Sequence, residues 1–310
     1  MKNIVFIILL VCLLPSSLLS QGYQQYNHYI ANQGLLNPAY NGTRDVISGL
    51  MTHRSQWISM EGAPMNQAIN VHGPVEDTNI GLGVVLQNDA IGFSNTFDAM
   101  VAASYKIELD NRGKRWVSLG LQAGVTSFIF DGTKAITGDW NDPVFQGRTS
   151  TVGFNTGFGA YYYATDYFVG FSIPKMLSQS FDENTNEFKN KFDFQNMAMF
   201  LYGGYVFDWE PVKVKPTLLF REVYGAPLQF DVSCNVLLAE TIWVGMSYRS
   251  TSNIVFLSEF ILNRQFTLRY SFDYALNSLN QFSQYGSHEI GLQFDFSFNK
   301  RPGMRSIRYF

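Results

Sequence analysis

The chain has 310 residues, with 22 Lys and Arg against 25 Asp and Glu, a formal net charge of −3, and only 15% charged residues. That balance excludes an electrostatic grip on nucleic acid, which needs clustered basic charge. Aromatic residues reach 16%, with 27 Phe and 17 Tyr; many rings beside few charges suit a wall that meets lipid, and also an aromatic-rich β-sandwich.

Residues 1–20 read as a secretory signal peptide. Lys2 supplies the positive start, Ile4 to Leu14 the apolar core, Pro15 the break, and Ser16, Ser17 and Ser20 the small residues, with cleavage expected after Ser20. The apolar run is short for a bilayer span of about 20 residues, and no longer one follows. Cys12 lies inside that run, so Cys234 alone remains and no intrachain disulfide is expected.

Residues 21–45 are rich in Gln, Asn, Tyr and Gly, with little alternation. Asn37-Pro38-Ala39-Tyr40-Asn41-Gly42 has the chemistry of two successive turns. This stretch is expected to be an N-terminal plug or periplasmic segment, entering a lumen or covering its periplasmic mouth. Arg54-Ser55-Gln56-Trp57 and Gly62-Ala63-Pro64 follow closely. They read either as first-strand and turn chemistry or as partners of a docked plug.

From Val46 the chain breaks into short runs with strict period-two alternation, which puts one residue set on each strand face. Val117, Leu119, Leu121, Ala123 and Val125 alternate with Ser118, Gly120, Gln122, Gly124 and Thr126. Similar runs cover 228–238, 242–249 and 266–274. The last, Ser287 to Phe298, sets Ile290, Leu292, Phe294, Phe296 and Phe298 against Glu289, Gly291, Gln293, Asp295 and Ser297. About 14 such segments fall within 46–298, many near the roughly 10 residues a tilted membrane strand needs. Sandwich strands run nearer 5–6 residues. The expected fold is therefore all-β: a transmembrane antiparallel β-barrel. Its final strand is expected to close against the first, near Val46 to Ser59.

Tight links are expected at Glu240 and Ser250–Asn253, and longer ones at 131–150, 174–194 and 275–287. Trp116, Tyr161 to Tyr163, Trp209 and Tyr274 stand at run ends, where an interfacial aromatic girdle belongs. Lys213, Lys215, Arg221, Asp231, Arg249, Arg269, Asp273, Glu289 and Asp295 fall opposite the apolar residues and are expected to line the lumen. Residues 299–310 are expected to form a basic periplasmic tail.

Little here points to chemistry. His28, His53, His72 and His288 lack metal-ligand spacing, and no cofactor or metal is expected. Ser287-His288-Glu289 invites a hydrolase reading, but adjacent strand residues face opposite ways, so Ser287 and His288 cannot act on each other. Gly81-Leu82-Gly83 has no helix after it and is not a phosphate loop.

The sequence resembles the PorP/SprF family over nearly the whole chain beyond the signal. The resemblance is carried by Asn37-Pro38-Ala39-Tyr40 with Gly42, by Arg54 with Gln56-Trp57, and by Gly62-Ala63-Pro64. It continues in Lys215-Pro216, in Pro227 with Gln229 and Asp231, in Gly245 with Tyr248-Arg249, in Ser287-His288-Glu289-Ile290, and in Arg308-Tyr309-Phe310. Ile307 stands where a Pro often precedes the closing residues, and Met65-Asn66 where Thr is common.

The resemblance implies an outer-membrane barrel of a Gram-negative bacterium, related to the long-chain fatty-acid transporter type and without catalytic activity. Such proteins serve the type IX secretion system and the gliding machinery. They support secretion or surface attachment of a substrate protein with a C-terminal targeting domain, such as an adhesin. Others associate with periplasmic ring or peptidoglycan-binding components. The polar inner face keeps an alternative open, a passive channel or transporter of hydrophobic ligands.

Overall fold

A computed structural model describes residues 24–110, 114–134, 147–182, 187–192, 197–224, 226–281, 283, 285–296 and 310. Its strands are β1 Ile47–Ser55, β2 Met65–Pro74, β3 Ile80–Ile91, β4 Ser94–Glu108, β5 Arg115–Asp131, β6 Arg148–Ala164, β7 Tyr167–Ile173, β8 Leu177–Asp182 and β9 Glu187–Phe192. They continue with β10 Ala198–Tyr205, β11 Phe207–Trp209, β12 Val212–Val223, β13 Gln229–Leu238, β14 Ile242–Arg249, β15 Asn253–Ile261, β16 Phe266–Ala275 and β17 Ser287–Phe296. β8 and β9 form a separate hairpin.

All other strands belong to one antiparallel sheet, in which β10 and β11 make a single wall strand interrupted at Val206. β1 pairs with β17, Arg54 opposite Glu289, and β10 pairs with β12. The sheet thus closes on itself as a 14-strand barrel. No helix among the described residues is long and apolar enough to cross a membrane.

The exposure pattern separates a membrane barrel from a soluble sandwich. The large apolar residues point outward: Leu121 is 65% exposed, Val152 68% and Phe154 63%. The polar residues of the same strands are buried, among them Asp98, Gln122, Asn155, Ser172 and Glu289. In water this arrangement would leave the apolar side of nearly every strand unburied; in a bilayer that side faces lipid and the polar side lines the interior. Leu121→Arg is therefore expected to destabilise the barrel by about 2–4 kcal/mol, the cost of a cation on the lipid face near mid-bilayer. Urea unfolding in lipid vesicles measures it, although on a soluble protein a residue this exposed would tolerate Arg.

Turn lengths give the orientation. At one end the wall strands are joined by 75–79, 109–114, 165–166, 210–211, 239–241 and 262–265, and this end also holds the start of β1 and the close of β17. At the other end the links include 56–64, 132–147, 174–197 and 276–286. Short turns mark the periplasmic end of outer-membrane barrels and long loops the extracellular end.

The aromatic girdle differs from its sequence expectation. Tyr162, Tyr167, Tyr205, Phe207 and Trp209 form a chain of ring contacts at the periplasmic end of the wall. Tyr161 and Tyr163, each 1% exposed, instead point into the barrel, where Trp116 stacks on Tyr163 with ring centroids 5.4 Å apart. Side chains alternate along a strand, so a run of three tyrosines must divide between the two faces.

Candidate functional site: the barrel interior

Residues 24–45 run through the interior. Tyr26 to Ile30, Asn32 to Asn37 and Ala39 to Asn41 are buried, in a segment with two short 3-10 turns, Gln33–Leu35 and Pro38–Tyr40. Its first described residues lie beside Arg221, Asp231 and Arg249, near the extracellular ends of β12 to β14. It then descends to the periplasmic end and enters β1. Three anchorages hold it.

The upper anchorage is ionic. Both oxygens of Glu289 accept backbone N–H groups from this segment, Oε2 from Asn27 at 2.7 Å and Oε1 from His28 at 3.0 Å. The Asn27 side chain donates to Ser271 at 2.9 Å and accepts from Arg249 at 3.3 Å. Behind these bonds lies a charge network. Arg54 Nη2 is 2.7 Å from Asp273 and its Nη1 is 3.9 Å from Glu289; Arg249 Nε is 2.9 Å from Asp231 and its Nη1 is 3.7 Å from Asp273. Two arginines and three acids thus interlock four wall strands and β1 around Asn27. Each charge has an opposite partner, which buried charges require.

The middle anchorage is apolar. Tyr29, Ile30, Leu36, Ala39 and Tyr40 pack with Tyr161, Tyr163, Phe168, Phe200, Tyr202 and Leu219 from the inner faces of β6, β7, β10 and β12. Tyr40 meets Tyr161 edge-on at 5.6 Å and His72 at 5.2 Å between ring centroids. Phe310 joins this cluster, 4.7 Å from Phe168. The rest of the sequence-predicted tail lies outside the described residues, as does the predicted signal peptide.

The lower anchorage is Asn37 to Gly42. Asn37 Oδ1 accepts from Ala39 N–H at 2.9 Å, capping the second 3-10 turn, with Pro38 at its first position. Its Nδ2 reaches the backbone of β6 and β7, at Ala160 O (3.0 Å) and Phe171 O (3.3 Å). The motif lies so close to the wall that side chains are excluded opposite it. A Cβ on Gly120 would stand 2.3 Å from Ala39 N, one on Gly159 1.9 Å from Asn37 Oδ1, and one on Gly81 2.2 Å from Asn41 O. Gly42 turns back at φ +72°, its N–H bonded to His72 Nδ1 at 3.2 Å. Below it, Arg44 binds Asp295 at 3.0 Å.

The nine charged residues picked out by alternation all lie on the inner wall, but in different groups. Asp231, Arg249, Asp273 and Glu289 share the network around Asn27, while Asp295 sits with Arg44. Arg269 pairs with Glu259 at 3.1 Å, Lys213 with Asp208, and the Lys215 ammonium lies over the Trp243 ring at 4.3 Å. Arg221 lines a small cavity with Gln24, Tyr29 and Gln229.

The first-strand motif divides. Arg54 joins the interior network, but Gln56 and Trp57 leave the strand for the extracellular link. There Gln56 bonds Asn66 at 2.9 Å, and the Trp57 N–H donates to Ser287 Oγ at 3.0 Å. Those contacts lie far from Asn37 to Gly42, so the two motifs do not meet. Ser287 is buried toward the interior, whereas His288 sits on the outer face bonded to Tyr270 at 2.7 Å.

A second inward element lies where the sequence showed only a long loop. After β7 the chain folds into the barrel: Pro174 O accepts from Gln122 at 2.7 Å, and Lys175 pairs with Asp98 at 2.5 Å. Gln122 and Asp98 stand on polar strand faces, a signal that marks inward residues without saying what they meet.

A sequence-family profile described as type IX secretion system membrane protein PorP/SprF matches residues 18–294. The chain belongs to this family. Family membership and the closed barrel place it in the bacterial outer membrane, among the components of type IX secretion. Among curated protein sequences nothing matches.

Solved structures similar to this PorP/SprF chain are outer-membrane barrels. The CymD monoaromatic hydrocarbon channel shares 11% identity at a TM-score of 0.53, covering 86% of this chain and 93% of that one. Omp33 of Acinetobacter baumannii shares 9% identity at a TM-score of 0.45, covering 83% and 100%. The KdgM porin shares 10% at 0.38, covering 81% and 99%. At such identities a likeness speaks to fold alone. The relation to the long-chain fatty-acid transporter type stays an expectation.

Proposed function

We propose that this PorP/SprF protein is a non-enzymatic, plugged barrel that supports secretion or surface attachment of one cognate type IX substrate. The substrate class is a protein with a C-terminal targeting domain, such as an adhesin. The observation that carries the reading is the three-fold anchorage of residues 24–45 inside the barrel. A lumen filled by its own chain, with buried Glu289 and Arg249 hydrogen-bonded to that chain, serves better as a rigid docking body than as a conduit. The mixed charges of the wall are largely paired with one another, as in Arg54–Asp273, Arg249–Asp231 and Arg269–Glu259, and Ser287 and His288 face opposite ways, which speaks against a hydrolase built on them.

Two sides are available for partners. The extracellular links face an emerging substrate. The periplasmic end faces ring or peptidoglycan-binding parts of the machine.

The test is a clean deletion strain compared with its complemented parent by mass spectrometry of cell-surface and medium fractions. One substrate, or a small set, should vanish from the surface in the deletion and return on complementation. Unchanged display of every type IX substrate would overturn the proposal.

A second reading, a channel or transporter of hydrophobic ligands, draws on the polar inner face and on the barrel fold shared with the hydrocarbon channel. It requires the plug to leave or shift, and it predicts uptake or conductance that the first reading does not.

A further inference from the structure

One face of the outer wall breaks the apolar belt. Across β17, β1, β2, β3 and β4, the residues Ile290, His53, Gln67, Asn88 and Phe97 stand in one cross-strand row. Three of the five are polar, and all point away from the interior. They lie near the extracellular ends of their strands, at outer-leaflet depth. The next row toward the periplasm is aliphatic: Leu292, Met51, Ile69 and Leu86. Together the two rows border a groove in the outer wall whose lining contains no Asp, Glu, Lys or Arg.

Amides turned toward hydrocarbon are costly unless hydrogen-bonded. His53 is fully engaged, one ring nitrogen 3.3 Å from Gln67 Nε2 and the other 3.2 Å from Ser55 Oγ. These bonds fix the Gln67 amide with its oxygen uncommitted. Asn88 makes no side-chain hydrogen bond among the described residues. The row therefore presents donors from Asn88 and Gln67 and two acceptors, Gln67 Oε1 and Asn88 Oδ1, to whatever fills the groove, directly above an aliphatic floor.

We propose that this groove binds one molecule of the outer-leaflet glycolipid, lipid A. Its amide-linked, 3-hydroxylated acyl chain would lie with amide and hydroxyl at Gln67 and Asn88 and with methylenes over Met51, Ile69 and Leu292. The chemistry selects this occupant. An uncharged hydrogen-bonding row matches amide and hydroxyl groups set close to a straight chain. A glycerophospholipid offers esters but no donor there. The lack of cations in the groove leaves the phosphates outside it.

The test uses the full-length protein extracted from outer membranes, exchanged through mild detergent, with bound 3-hydroxy fatty acids quantified by mass spectrometry. The wild type should retain one lipid A per barrel, and enzymatic removal of its phosphates should leave retention unchanged. H53L/Q67L/N88L should retain about tenfold less, the loss expected from one or two hydrogen bonds. Heat-dependent migration on gels checks that the variant is folded, and Asn88→Leu alone should give a smaller loss in the same direction. Equal retention by wild type and variant would overturn the proposal. So would a wild type that retains glycerophospholipid in place of lipid A, or that retains no lipid.

Discussion

Replacing Arg54 by alanine should cost the barrel about 3–5 kcal/mol, the loss measured when one partner of a buried ion pair is removed. Arg54 is 1% exposed, and both acids it serves, Asp273 and Glu289, are equally hidden. Without it, Glu289 keeps the amides of Asn27 and His28 but loses its only cation within 4 Å among the described residues. Asp273 retains Arg249 at 3.7 Å and Asn253 at 2.8 Å. The excess negative charge then falls on the carboxylate that holds the N-terminal segment. Loosening of residues 24–30 should therefore accompany the global loss. Urea unfolding in vesicles reads the first effect, and amide hydrogen exchange of the segment reads the second. An unchanged midpoint would mean that water already screens this network.

The second large effect is steric and acts at the other end of the segment. Gly120→Val should drive Asn37 to Tyr40 off the wall. The added carbons would sit about where the backbone of Pro38 and Ala39 now lies, at 2.4 and 2.3 Å from the first of them. Backbone atoms cannot turn aside as a flexible side chain can, and overpacking of this kind costs about 1–3 kcal/mol or more. The barrel itself should survive, because valine suits a strand and β5 stays paired with β4 and β6 over most of its length. The expected signature is thus a folded barrel whose residues 24–45 become cleavable by protease, at sites silent in the wild type. If the segment stays protected in Gly120→Val, close packing does not hold it.

Alternation in the sequence made the wall legible, because each strand borders two unlike media; the period is strongest in runs such as 117–126, 266–274 and 287–296 and weakens where apolar residues such as Phe200, Tyr202, Val255 and Leu257 turn inward. The closing pair of first and last strands, the tight links at 239–241 and 250–252, and the inward side of the nine charged residues follow from that period alone. What they meet does not. Glu289 shows in the sequence only as a residue opposite Ile290, Leu292 and Phe294; that it receives two amides from Asn27 and His28 depends on a contact more than 260 positions away.

Glycines hid the docking ground of Asn37 to Gly42. In a strand, glycine reads as a weak point, and Gly81-Leu82-Gly83 as a poor phosphate loop. Gly81, Gly83, Gly120 and Gly159 in fact keep the wall bare where the motif lies against it. Trp116, Tyr161 and Tyr163 were legible as a cluster near a run end, but their faces follow from register, which places them in the interior core. Gln56 and Trp57 adjoin Arg54 in sequence, yet they leave the strand and so part from its network.

Planar-bilayer recording of the purified full-length protein, beside a variant lacking residues 24–42, tests most directly the claim that the chain fills its own barrel. The account predicts a silent wild type at moderate voltage and stepwise, ohmic conductance from the truncated protein. Steady ohmic conductance from the intact protein would contradict it.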